Sequence, residues 1–242
     1  MEKLLPGLIL VLLWSTSLAQ TKPDSTHFIF DYTSTGALNK TQNSSSFLLN
    51  NGFNSLLKER YIGLTLEANY LYGQQNGKTT NKDFSSTFNL DEFRYAPFKH
   101  TYYWALIDYN TIYSLNINYQ KEIGVGLAYL ILSKPDAHLS ISDGILYDKS
   151  NFFINTEHDV YRNSVRIKYH LLLNKIFQLD GIGYLQNAFG NAGDNVIKSK
   201  TTASFKVGKW LSVGSTASFN KSSFVQRQNF LLTYGFFITK NL

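Results

Sequence analysis

The chain has 242 residues and a formal net charge of +6, with 17% charged residues, 15% aromatic residues and no cysteine. This composition has too many aromatic side chains and too little charge for a disordered chain. The absence of cysteine excludes a disulfide scaffold, a thiolate metal site and cysteine catalysis. A mean hydropathy of -0.18 is too polar for a bundle of membrane helices.

The N-terminal segment has the layout of a cleaved secretory signal. A charged start leads into an apolar run over residues 4–14, and small residues follow at Ser17 and Ala19. This order is typical of a signal peptide, so we expect one over residues 1–19 and a single mature domain over residues 20–242. The alternative is an N-terminal membrane anchor, but the apolar run is shorter than the roughly 18–20 residues that span a bilayer.

Beyond the expected signal, apolar residues recur at every second position. The clearest segment runs from Ile62 to Tyr72, where apolar side chains alternate with small or polar ones. A period of two predicts β-strands, because successive side chains of a strand point to opposite faces. Segments 102–109 and 177–186 are strand-like with ambiguous faces, and about 12 strands are expected in total, with ten or fourteen as alternatives. The other alternating segments are 28–32, 47–53, 84–90, 123–129, 139–145, 165–171, 203–207, 211–219 and 230–238.

The predicted connections alternate between short and long. Residues 96–99 and 133–136 are short turns, whereas residues 36–45, 73–83 and 148–163 are long polar loops. One short rim and one long rim are typical of an outer-membrane barrel. The sequence therefore predicts an all-β fold, a transmembrane antiparallel up-and-down β-barrel. The alternative is a soluble periplasmic sandwich or barrel, but a polar face poor in charge and aromatic residues near the strand ends favour the membrane.

From Phe47 onward the chain resembles a widespread, uncharacterised bacterial family of salt-induced outer-membrane proteins. The resemblance rests on the segments 67–73, 113–115, 122–129 and 232–236. It implies an outer-membrane β-barrel and brings no catalytic residues. The C-terminus departs from the pattern, because such barrels often end on an aromatic residue and this chain ends Thr-Lys-Asn-Leu.

Projecting the alternation places charged side chains inside the barrel, acidic on the early strands and basic on the later ones. Two interpretations are open: the charges form buried salt bridges that close a narrow lumen, or they create a transverse field across a small water-filled pore. We favour the closed or very narrow lumen. Asp108 and Lys206 are further candidates, and Asp180 is an exception to the basic arc. The predicted lumen residues are Glu67, Asp91, Glu122, Arg166, Lys168, His170, Lys198 and Lys200.

Motifs that carry chemistry are scarce. The five histidines have no metal-ligand spacing, and we predict no catalytic, metal-binding or cofactor-binding residue and no cofactor. His138-x-Ser140, with Asp143 as a third group, is similar to the pairs of outer-membrane lipid hydrolases. Because His138 and Ser140 are predicted to face the lumen beside a short turn, we do not expect catalysis there.

The expected function is that of a bacterial outer-membrane barrel, either a structural envelope component or a narrow channel for small polar solutes. The alternatives are an outer-membrane lipid-modifying enzyme and a soluble periplasmic barrel that binds a small ligand. Expected partners are outer-membrane lipids, including lipopolysaccharide phosphates that attract basic rim residues, and the barrel-assembly machinery. We expect a monomer rather than an oligomer, and no nucleic-acid binding, because a basic helix and an aromatic RNA-binding motif are both missing from the sequence.

Overall fold

The computed structural model describes residues 27–59, 62–93, 100–153 and 156–241. The expected signal peptide over residues 1–19 and the short turn at residues 96–99 lie outside the described residues. Across these ranges, twelve antiparallel strands close into one barrel, each paired with its neighbours in chain order and β1 paired with β12. The predicted fold class and strand number are confirmed. The strands are β1 (His27–Lys40), β2 (Ser45–Glu59), β3 (Ile62–Gln75), β4 (Lys78–Phe93), β5 (Thr101–Ile112), β6 (Ile117–Lys134), β7 (Ala137–Phe152), β8 (Glu157–Leu173), β9 (Phe177–Ala188), β10 (Asn195–Lys206), β11 (Leu211–Ser222) and β12 (Arg227–Asn241).

The two faces of the wall separate by alternation. In a single-walled barrel a buried side chain faces the interior, because the outside has no second layer to cover it. On β6 the predicted outer residues Ile123 and Val125 are 56% and 63% exposed, whereas Glu122 and Ala128 are 3% and 2% exposed. The even positions from 120 to 130 of β6 therefore point inward, as the period of two predicted.

The expected contrast between a short and a long rim is wrong. The predicted loop at residues 73–83 is a two-residue turn, Asn76-Gly77, between β3 and β4, with φ of 50° and 77°. Positive φ at both central residues is the geometry of a tight hairpin turn for which Asn-Gly is the preferred pair. The polar residues on either side continue the antiparallel ladder. The predicted loop therefore consists mainly of polar strand ends. The same correction applies to residues 36–45 and 148–163, where β1, β7 and β8 extend into the predicted loops.

Part of the hydrophobic core lies inside the barrel. The ambiguous segment 102–109 forms β5 and turns Tyr102, Trp104 and Leu106 inward, where they pack with residues of β6 and β7. The Trp104 ring lies over Gly126 and Gly144, where an added Cβ would stand 2.7 and 2.5 Å from ring carbons. Glycine at these two positions makes room for an inward tryptophan. No helix in the described ranges is long and apolar enough to cross a membrane.

Candidate functional site

The lumen is the candidate site, and every strand contributes buried side chains to it. Each of the twelve strands contributes at least one inward side chain whose residue is at most 9% exposed. An inward side chain facing a water-filled space would remain exposed, as Glu67 and Lys200 do, so the burial of the others indicates a partly packed interior. In strand order, examples are Thr35, Asn50, Thr65, Asp91, Trp104, Glu122, Ser142, Arg166, Gln186, Ser204, Thr216 and Thr233.

One ion cluster connects β4 with β8. Arg166 Nη2 lies 3.0 Å from Asp91 Oδ1, and Lys168 Nζ lies 3.3 Å from Asp91 Oδ2. The guanidinium also donates from Nε to Ser142 Oγ at 3.0 Å and lies 4.9 Å from the centre of the Trp104 ring. Three predicted lumen residues, Asp91, Arg166 and Lys168, are thus brought together on one side of the interior.

A second pair connects β6 with β10. Lys198 Nζ donates to Glu122 Oε2 at 2.7 Å and to Gln120 Oε1 at 3.3 Å. Glu122 is 3% exposed. Its other carboxylate oxygen has no hydrogen-bond partner among the described residues. The early acidic strands and the later basic strands therefore meet through two separate contacts inside the barrel.

The remaining predicted lumen residues are dispersed. His170 Nδ1 lies 2.6 Å from Asp180 Oδ1 near the β8–β9 turn. Glu67 and Lys200 occupy inward positions of β3 and β10 and are exposed. Neither forms an ion pair with another residue in the described ranges.

A buried network around Arg162 was missed by the sequence reasoning. Arg162 is 2% exposed, and it donates from Nε to Asp148 Oδ2 at 3.0 Å and from Nη1 to Asp194 Oδ1 at 2.9 Å. Because residues 148–163 were interpreted as a loop, the alternation was not projected through Asp148 and Arg162. Continuing the period of β7 and β8 would have placed both side chains inward.

Asp194 joins this network from the β9–β10 connection. His158 Nε2 lies 2.7 Å from Asp194 Oδ2, and the His158 ring stacks on Phe224 at a centroid distance of 4.1 Å. Burial raises the pKa of Asp194, but hydrogen bonds from Arg162 and His158 outweigh burial and hold that pKa below its usual value. The network therefore ties two connections of the same rim to β8.

A polar cavity of about 220 Å³ opens in the half of the lumen toward this rim. The short 3-10 turn Tyr113–Leu115 lies beside the cavity, and Ser114 Oγ donates to Asp83 Oδ2 at 3.0 Å. From the other side of the barrel, Asn229 Nδ2 donates to Ser114 Oγ at 3.3 Å. The turn thus spans part of the mouth between β4 and β12. The lining combines residues with amide, hydroxyl and charged groups with four apolar residues.

The His138-x-Ser140 motif does not gain its expected third group. Ser140 is buried and accepts a hydrogen bond from the Tyr102 hydroxyl at 3.2 Å. Asp143 is exposed on the opposite face of β7, where it accepts from Asn163 Nδ2 at 2.6 Å. Asp143 therefore cannot orient His138. Among residues 27–59, 62–93, 100–153 and 156–241, no cluster of three His, Asp or Glu side chains has the geometry to hold a metal ion.

The model of a family described as a protein of unknown function, DUF481, matches residues 33–230. No curated protein matches the chain.

Solved barrel structures resemble the chain at low sequence identity. The NanC porin is 7% identical, with 89% of this chain and 98% of that chain covered and a TM-score of 0.48. The translocator domain of the autotransporter NalP from Neisseria meningitidis is 10% identical, with coverages of 97% and 94% and a TM-score of 0.47. An outer membrane channel from Pseudomonas putida F1 is 6% identical, with coverages of 93% and 98% and a TM-score of 0.47. None of these similarities informs on activity.

Proposed function

Because the chain belongs to the DUF481 family of proteins of unknown function, we propose a role for it from its own geometry: a non-enzymatic outer-membrane barrel with a closed lumen. In this role the protein is a structural component of the bacterial envelope and does not conduct solutes at rest. The observation that carries the proposal is that every strand contributes at least one buried inward side chain.

The outer surface supports membrane insertion. Large apolar and aromatic side chains project from the outer wall of almost every strand, and their exposed fractions reach 78% at Leu38. A soluble barrel would cover such residues, since extended apolar surface in water promotes association. A lipid bilayer accommodates them, and a lipid-facing wall of a barrel has this alternation. Examples are Phe53, Leu66, Phe88, Ile107, Val125, Ile141, Ile167, Leu185, Phe205, Phe230 and Tyr234.

Orientation follows from the strand number. With twelve strands, the start of β1 and the end of β12 lie on the same rim. Chain ends of such barrels lie on the periplasmic side, so the rim with the 3-10 turn and the polar cavity faces the cell exterior in this proposal. Basic residues on the exterior rim attract phosphate groups of outer-membrane lipids, and insertion depends on the barrel-assembly machinery.

Two experiments test this role. The protein expressed with its full N-terminus is expected in the detergent-extracted outer-membrane fraction, with heat-modifiable migration on a gel. Liposomes that contain the purified barrel are expected not to swell in isotonic sugar solutions. Recovery in the soluble periplasmic fraction contradicts the membrane assignment, whereas rapid swelling contradicts only the closed lumen.

The 220 Å³ polar cavity favours a second candidate function, a narrow channel for small polar solutes. In that case displacement of the interior side chains would connect the cavity to the opposite rim. Swelling of liposomes that contain the wild-type barrel would support the channel, whereas swelling that appears only after Trp104→Ala or Arg166→Ala would support the closed lumen.

A further inference from the structure

The cavity near the exterior rim has an unusual concentration of side-chain amides. Amides both donate and accept hydrogen bonds, so several of them in one enclosure match a ligand with many hydroxyl groups. Ser85, Thr87 and Ser218 add hydroxyl groups to the lining. The amide residues of the lining are Asn50, Asn69, Asn110, Asn220 and Asn229.

One of these amides is left without a partner. Asn50 is 9% exposed, and its Oδ1 atom forms no hydrogen bond within the described residues. Asn50 lines the cavity, but protein atoms cover its Oδ1 almost completely. A ligand in the cavity therefore meets Asn50 through another part of the residue.

The charges of the cavity favour a cationic group. Asp83 and Asp108 line it, and neither forms an ion pair with another described residue. Asp108 accepts hydrogen bonds from Thr87 Oγ1 at 2.6 Å and Asn110 Nδ2 at 2.5 Å, which leaves acceptor capacity on its oxygens. Lys198 also lines the cavity, but its ammonium group is already paired with Glu122 at 2.7 Å.

The size of the cavity sets the size of the ligand. A cavity of about 220 Å³ holds several water molecules and is large enough for one small ring molecule. The apolar residues Leu71, Phe84, Ile112 and Leu231 complete the lining and can pack against carbon atoms of a ring.

We propose that this cavity binds a small hydroxyl-rich molecule that carries one ammonium group, the chemistry of an amino sugar. The amides hold the hydroxyl groups, and Asp108 pairs with the ammonium group. The 3-10 turn Tyr113–Leu115, held by Ser114 between Asp83 and Asn229, lies beside the mouth of the site. The site extends the proposed envelope role and does not depend on whether the lumen conducts.

Calorimetric titration of the full-length barrel in detergent micelles tests the proposal with three probes. Glucosamine carries both recognised features, glucose lacks the ammonium group, and cyclohexylammonium lacks the hydroxyl groups. Glucosamine is expected to bind at least about tenfold more tightly than either of the other two, since each removes charge-assisted or amide hydrogen bonds. Equal affinity for glucosamine and either probe, or no binding of glucosamine in the millimolar range, overturns the proposal.

Two variants test whether glucosamine binds in this cavity. Asp108→Asn keeps the shape of the side chain and is expected to weaken glucosamine binding about tenfold. Asn50→Ala, which removes one amide residue of the lining, is expected to weaken binding several-fold and serves if Asp108→Asn fails to fold. The matched control is Asp180→Asn, the same charge change beside His170 at the other end of the lumen. An equal loss of affinity in Asp180→Asn would contradict binding in this cavity.

Discussion

Glu122 on β6 and Lys198 on β10 meet inside the barrel with 2.7 Å between Oε2 and Nζ. Three strands lie between β6 and β10, so this contact crosses the interior instead of following the wall. Together with the Asp91–Arg166 pair, it connects the acidic and basic arcs of the lumen. The closed-lumen proposal therefore makes predictions about stability as well as transport.

Removal of Lys198 should destabilise the barrel. Lys198→Met leaves the buried Glu122 carboxylate without its cation, and loss of one partner of a buried pair costs about 3–5 kcal/mol. Urea unfolding in lipid vesicles measures the loss. The double variant Glu122→Gln/Lys198→Met should recover part of it, because no uncompensated charge remains. Lys149→Met is the control, since its pair with Asp159 is exposed. A double variant as unstable as Lys198→Met would contradict this explanation.

The glycines under Trp104 should not tolerate a methyl group. A Cβ at Gly126 would lie 2.3 Å from the Asp143 carbonyl oxygen and 2.7 Å from a Trp104 ring carbon. We expect Gly126→Ala to reduce the free energy of unfolding by about 1–3 kcal/mol, the range for overpacked interiors. Gly208→Ala is the matched control, because its nearest neighbour would be 3.9 Å away. Equal stability of the two variants would show that the tryptophan and the backbone move aside.

The turn between β3 and β4 allows a test of backbone conformation alone. Gly77 has a φ of +77° and no heavy atom within 4 Å of an added Cβ. Gly77→Ala should therefore destabilise the hairpin by about 1–2 kcal/mol through the left-handed conformation and not through a clash. Gly77→Asn should lose less, since asparagine visits this region more readily. The free energy of unfolding of both variants tests this prediction, and equal losses of stability would contradict the role of the left-handed conformation.

Asp194 gives a prediction for pH dependence. Its pKa in the folded protein lies below the usual value, so its contribution to stability is present above the unfolded-state pKa of about 4. That contribution is lost as the pH falls through the folded-state pKa. The stability difference between the wild type and Asp194→Asn should thus be constant from neutral pH to about pH 4 and shrink below it. A difference that grows on acidification would contradict the hydrogen bonds assigned to Arg162 and His158.

The outer wall of this barrel could be predicted from the sequence more completely than its interior. Alternation sorted Ile123 and Val125 outward and Glu122 inward, because a period of two is a local property of a strand. It did not orient Trp104, since segment 102–109 carries apolar residues on both faces. The partner of Glu122 could not be predicted either, because contact with Lys198 depends on the closure and register of strands far apart in the chain.

The polar cavity could not be predicted from the sequence either. Its asparagines come from β2, β3, β5, β11 and β12, and none belongs to a recognisable motif. Polar residues at the strand ends led to a wrong prediction of long loops at the rims, where the structure has hairpins with short turns such as Asn76-Gly77. An asparagine followed by glycine between two alternating segments was the available signal for a tight turn.

Conductance across a planar lipid bilayer tests the central claim most directly. With the purified wild-type barrel inserted on one side in symmetric potassium chloride, we predict no stepwise current, because in our proposal the buried side chains of all twelve strands close the lumen. Trp104→Ala combined with Arg166→Ala serves as the positive comparison, since it removes two large side chains from the interior. Stable single-channel steps from the wild-type protein would contradict the closed lumen.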